Sequence, residues 1–230
     1  MLLAGVAVLL GTGCRVDVAV GVEVGRDGTG QVTASVLLDQ AAAAHLVEGA
    51  ERPRVGDLEA AGWRVEEPVA RTGGGQELRA VKRFESPAGA TRAVEELTGP
   101  GGPLRSFRLS QERSFLRTRT ALTGTVDLSG GLDGFADPAL REQLAAAGAD
   151  FATIERQLGE PAVEAFHLEI RSELPGQART WTPALGQVVD VRTSVESWNT
   201  SRIAFLVVAM ASGLALVAVL VSRSRRVTWG

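Results

Sequence analysis

The chain has 230 residues, a formal charge of −3, 45% hydrophobic and 22% charged residues, which suits one domain or two small ones and excludes wholesale disorder. All 27 acidic residues lie between residues 15 and 201, with all but four of the 24 basic ones. That body is acidic and lacks the basic face on which nucleic-acid binding depends, and one cysteine with two histidines exclude a Cys/His zinc cluster and an intramolecular disulfide.

Residues 1–13, MLLAGVAVLLGTG, form an apolar run that is too short to span a bilayer and ends in small residues directly before Cys14. The run resembles the apolar core and cleavage site of a bacterial lipoprotein signal peptide, whose processing leaves the cysteine as a lipid-attached N-terminus. Gly11 stands where that pattern favours Leu, and no Lys or Arg precedes the run. Lipid attachment at Cys14, an uncleaved anchor and an ordinary free thiol therefore all stay open, with the true start codon.

From Arg15 the spacing predicts a β-hairpin. Val16, Val18, Val20, Val22 and Val24 alternate with polar residues, GRDGTG turns the chain, and Val32, Ala34, Val36 and Leu38 resume the pattern. Asp39 caps an alanine-rich helix that contains His45, and a short helix over Asp57–Ala61 stops at Gly62. Trp63–Ala70 and Glu77–Phe84 predict a second hairpin around the glycines of Arg71–Gln76. Pro87–Leu97 has helical spacing, with Ala90, Ala93, Val94 and Leu97 on one face, and GPGGP ends it.

Leu104–Leu128 predicts a long hairpin, and Asp137-Pro138 starts a helix that a second helix follows from about Asp150 to Leu158. Phe166–Leu174 alternates as a strand with His167 on its polar side. After the turn at Pro175-Gly176, Gln187–Ser197 is the last predicted strand, with Val189, Val191 and Val195 inward. The expected fold class is α+β, an antiparallel sheet or partly closed barrel with helices packed on it.

Ile203–Val221 is uncharged, with Ser212 its only polar residue, and Trp198 precedes it while Arg223, Arg225 and Arg226 follow. A helix of this length covers about 28 Å, close to the bilayer core. A C-terminal transmembrane helix is expected over 201–222, with a short basic cytoplasmic tail over 223–230 and an extracytoplasmic domain over 14–200 held at the cell membrane.

The cysteine followed at once by a valine hairpin, the FESPAGATRAVEELTG and RSFLRTRTALTGTVDL stretches, and the late WTPALGQ before a strand and an apolar segment resemble the LppM family of bacterial envelope lipoproteins. The resemblance implies an extracytoplasmic α+β domain that binds lipids or glycolipids, with a place in the cell envelope.

The residues offer little catalytic chemistry. There is no GxSxG, HExxH or P-loop motif, the two histidines suit surface or structural roles, and the neighbouring acids Glu66-Glu67 and Glu95-Glu96 are of a kind common on strands and helices. A non-enzyme without metal or cofactor is expected. The notable charge feature is Arg105, Arg108, Arg113, Arg117 and Arg119 against the single acid Glu112. Their guanidinium forks suit anionic lipid head groups, with Phe107, Phe115 and Leu116 beside them; the alternative is an exposed strand pair whose arginines meet neighbouring carboxylates. The expected function is lipid or glycolipid binding in an apolar cavity lined by Val, Leu and Phe, with membrane lipids as partners. The alternative is a membrane-tethered module that docks an envelope protein, with a filled interior and an exposed apolar patch.

Overall fold

A computed structural model describes residues 15–40, 43, 56–99, 101–131, 166–200 and 202–213. The chain divides into two compact units, the described residues within Met1–Ser110 and Thr120–Val195, and those within Gln111–Arg119 and Glu196–Gly230.

In the larger unit the valine alternation forms β1 (Val16–Val24), which turns at Gly28 and pairs antiparallel with β2 (Gly30–Leu38) in the register Val16 to Leu38. β2 pairs antiparallel with β5 (Gln76–Phe84). The predicted partner of β5 is broken into β3 (Arg64–Val65) and β4 (Val69–Ala70), both antiparallel to it. Pro68 lies between the two, and a proline has no N–H to give to a ladder.

On its other side β1 pairs with β8 (Phe166–Leu174), and this pairing is parallel. β8 turns at Gly176 into β9 (Gln177–Trp181), a strand that the sequence reading leaves as part of a turn. The seven-stranded sheet runs β3-β5-β2-β1-β8-β9, with β4 also on β5. A second sheet runs β10-β7-β6, with β6 (Leu104–Arg113), β7 (Arg117–Asp127) and β10 (Val188–Trp198).

The predicted helix is present as Pro87–Thr98, with Ser86 as its cap: the Ser86 hydroxyl accepts from Gly89 N at 3.3 Å. It buries Ala90, Ala93 and Val94 against the large sheet, and those residues share one core with Val22, Val32, Phe84, Phe107, Leu122, Val126 and Ile170. Within this core Gly124 of β7 lies under the ring of Phe107, where a Cβ would stand 2.7 Å from the ring. Trp63 is buried and gives its indole N–H to Glu96 at 3.0 Å, while the only lysine, Lys82, binds Glu96 and the Ala61 carbonyl.

Two expectations are corrected. The described residues are mostly β-sheet with few helices, in two sheets with a parallel β1–β8 pair, instead of an α+β antiparallel sheet or partly closed barrel. Single strands show their period to the eye, but which strands share a sheet depends on pairings between residues far apart in the chain. No described helix is long and apolar enough to cross a membrane. Of the expected transmembrane helix of 201–222, the described residues contain a helix over 202–213. The expectation of a cytoplasmic C-terminus thereby loses its basis. Residues 1–14 with Cys14, most of the helix around His45, the helices expected near 137–158 and residues 214–230 lie outside the described residues.

Candidate functional site

The five arginines singled out from sequence do not form one site. Arg105 and Arg108 belong to the larger unit; Arg113, Arg117 and Arg119 belong to the smaller one. All five are exposed. Arg105 pairs with Asp127 at 3.0 Å, and Asp127 also accepts the backbone N–H of Ser129 at 3.0 Å and its hydroxyl. Those bonds from Ser129 hold the Asp127 carboxyl below its ordinary value of 3.8 against the opposing effect of desolvation, with a lesser contribution from the Arg105 charge.

A break in alternation separates Arg105 from Arg108. Leu104 and Phe107 are both buried, with Arg105 and Ser106 exposed between them, and Ser106 has φ 53°. The Asp127 N–H reaches Pro103 O at 2.8 Å, whereas at the hairpin tip Ser114 N reaches Arg117 O at 2.7 Å. Those two crossings differ by one residue of register, as a β-bulge at Arg105-Ser106 requires. The extra residue restores Phe107 and Leu109 to the core and turns Arg108 outward.

The smaller unit is built by the tip of the β6–β7 hairpin and the end of β10. Ser114 N donates to Arg117 O at 2.7 Å and closes the turn, which presents Phe115 and Leu116. Ser197 Oγ reaches Thr118 O at 3.4 Å, and Asn199 N donates to Leu116 O at 2.8 Å, so the ladder continues past the last strand residue. Asn199 then starts the next element: its Oδ1 accepts from Arg202 N at 3.4 Å and its carbonyl accepts from Ile203 N at 3.1 Å. One asparagine thus ties the hairpin tip to the N-terminus of the helix over 202–213.

Two guanidinium–ring contacts reinforce that junction. Arg117 lies 5.4 Å from the centre of the Trp198 ring and 3.7 Å from Glu196, and Arg202 lies 5.4 Å from the centre of the Phe115 ring. Arg113 Nε donates to Gln111 at 2.9 Å. Around these groups the surface is apolar: Phe115 is 58% exposed, Trp198 59% and Phe205 79%, with Leu206, Val207, Val208 and Met210 also exposed. The sequence reading names Phe115, Leu116, Arg113, Arg117 and Arg119 as candidate contacts, but it leaves out Arg202 and treats Trp198 only as a marker of membrane depth. The absent signal is one of pairing, because residues 115 and 202 meet only through the β7–β10 ladder.

The larger unit has shallower candidates. A hollow of about 240 Å³ lies on the polar face of the seven-stranded sheet, over Ala19 and Gly21 and beside Thr33, Arg79, Glu169 and Arg171. His167, on the same face of β8, stands 3.5 Å from Asp17. The Glu96 carboxylate is taken up by Lys82 and Trp63. Among the described residues no three of His, Cys, Asp and Glu come together as a metal site requires. The Val, Leu and Phe side chains expected to line an acyl-chain cavity are packed against one another in the core.

No protein-family model matches the chain, and no curated protein sequence matches it either. Among solved structures the chain is similar to the folded domain of LppM from Mycobacterium tuberculosis, determined by NMR. The identity is 10%, the TM-score is 0.44, and the likeness covers 83% of this chain and 95% of that one. LppM is the family that the sequence resembles.

Proposed function

We propose that the chain is an extracytoplasmic envelope lipoprotein that works at a lipid surface, anchored through Cys14, and that it binds lipid or glycolipid without catalysing a reaction. The observation that carries this reading is the number of exposed apolar and aromatic side chains in the smaller unit, Phe115, Trp198, Phe205, Val208 and Met210 among them. Exposed apolar side chains are ordinary when scattered singly, but so many large ones in one small unit call for a covering surface. Aromatic rings with arginines beside them suit the boundary between head groups and acyl chains, where ring and guanidinium stem lie in apolar surroundings and the charge stays wet. A lipid attached at Cys14 supplies one anchoring signal, and stable anchoring needs a second, which the patch provides.

A second reading has its own support. The packed core of the larger unit and the exposed patch are the features expected of a module that docks another envelope protein.

One experiment separates the two. The full chain, purified in detergent, is returned to vesicles of bacterial envelope lipid, floated, extracted again and weighed by native mass spectrometry. Flotation with retained lipid is expected. A chain that stays at the bottom of the gradient and carries no lipid overturns the lipid reading and leaves the docking module.

A further inference from the structure

The pairing of Arg117 with Trp198 and of Arg202 with Phe115 carries more than adhesion to lipid. We propose that these four side chains form a reader for anionic phosphodiester head groups at a bilayer surface, with the rings set at the acyl boundary and the two guanidinium groups turned to the phosphates. The proposal rests on the lipid-surface reading above and names the lipid class that it selects.

The body of the chain is acidic, and a surface of that sign is repelled by an anionic bilayer. In the described part of the smaller unit the balance is reversed: Arg113, Arg117, Arg119 and Arg202 stand against Glu112 and Glu196 only. The positive charge therefore coincides with the exposed apolar surface, and a protein partner recognised by apolar contact alone does not require that coincidence.

The geometry adds specificity. A guanidinium held over a ring face keeps its N–H edge free to make paired hydrogen bonds, and its plane matches a phosphate better than an ammonium does. Arg117 and Arg202 come from different elements, and Asn199 holds those elements together through Leu116 O on one side and the helix start on the other. The two forks are thereby fixed relative to one another before any ligand arrives, which lowers the ordering cost of binding. Arg117 is only loosely held by Glu196, at 3.7 Å with both side chains more than half exposed. A phosphate can take the place of such a carboxylate at little cost.

The test uses the full chain and two kinds of vesicle, phosphatidylcholine alone and phosphatidylcholine with phosphatidylglycerol, in flotation assays at low and high salt. Preference for the anionic vesicles is expected, shrinking as salt rises from about 0.1 M to about 1 M. Arg117→Gln with Arg202→Gln should lower the anionic preference, read as the ratio of anionic to neutral flotation, by about fivefold for each charge removed. The Arg117→Lys and Arg202→Lys pair keeps the charge and gives up the fork, and it should recover only part of the preference. Circular dichroism of each variant confirms that it is folded. Replacing chloride by free inorganic phosphate at constant ionic strength tests the source of the ligand: unchanged flotation marks a lipid head group, whereas release from the anionic vesicles marks a site for any phosphate and overturns the reader. Equal flotation with both vesicles overturns the reader and leaves the lipid-surface reading standing. No flotation with either overturns both.

Discussion

In the larger unit Val32, Val126 and Ile170 are wholly buried, whereas in the smaller one Phe115, Trp198 and Phe205 face outward, though the residue types are equally apolar. The difference comes from what each element has to pack against. β1, β2, β5 and β8 present alternating apolar faces to the helix Pro87–Thr98 and to residues of β6, β7 and β10, and all contribute to one core. The hairpin tip and the helix over 202–213 are joined by a ladder bond to Asn199, its cap on the helix and one ring contact. Those contacts fix a shape but bury little. The first region therefore carries the buried core and the second keeps its apolar side chains exposed, and substitutions in the two should fail in different assays.

The largest effect is expected in the core. Ile170→Ala removes a wholly buried side chain from β8 and should cost about 2–5 kcal/mol in denaturant unfolding of the full chain. A smaller cost would mean that the core is looser than its burial implies. Gly124→Val places carbon against the Phe107 ring and should cost about 1–3 kcal/mol, with near-ultraviolet circular dichroism reporting the displaced aromatic.

Across the comparison, Phe115→Ala and Trp198→Ala should each change unfolding by less than about 0.5 kcal/mol and yet weaken vesicle flotation. Loss of stability without loss of flotation would reverse the roles assigned to the two regions. The smallest effect concerns Asp127. Its carboxyl titrates lower in the folded chain than in the unfolded one, so its ionised form favours folding above the ordinary value of 3.8. That contribution fades as pH falls from there through the lower folded value. Asp127→Asn should flatten the acid limb of a stability–pH curve over that window, and an unchanged limb would remove Asp127 from the account.

Much of the larger unit was legible because its signals are local. Alternating valines set β1 and β2, Ser86 and Pro87 set the start of a helix, and Gly62 after the short helix Gly56–Ala60 and Gly99 after Pro87–Thr98 set two of the stops, since period and capping depend on neighbours a few residues away. The bulge at Ser106 was not legible, because it appears only when the register of β6 is read against β7. β9 was missed because five residues after a turn carry too little pattern to tell a strand from a loop.

The candidate site divides in the same way. Composition and spacing by themselves determined that this chain is acidic through its body, has an apolar segment before Cys14 and another after Arg202, carries a cluster of arginines in one hairpin, and supplies no recognisable catalytic motif. Only the tertiary structure decided which arginines act together. It separated Arg105, held by Asp127, from Arg117, and it brought Arg202 from 85 positions further along to the ring of Phe115 beside it. The physical reason is that charge and hydrophobicity belong to each residue alone, whereas a binding surface depends on strand pairing, and the hydrogen bonds that fix such pairing join residues that no local pattern relates.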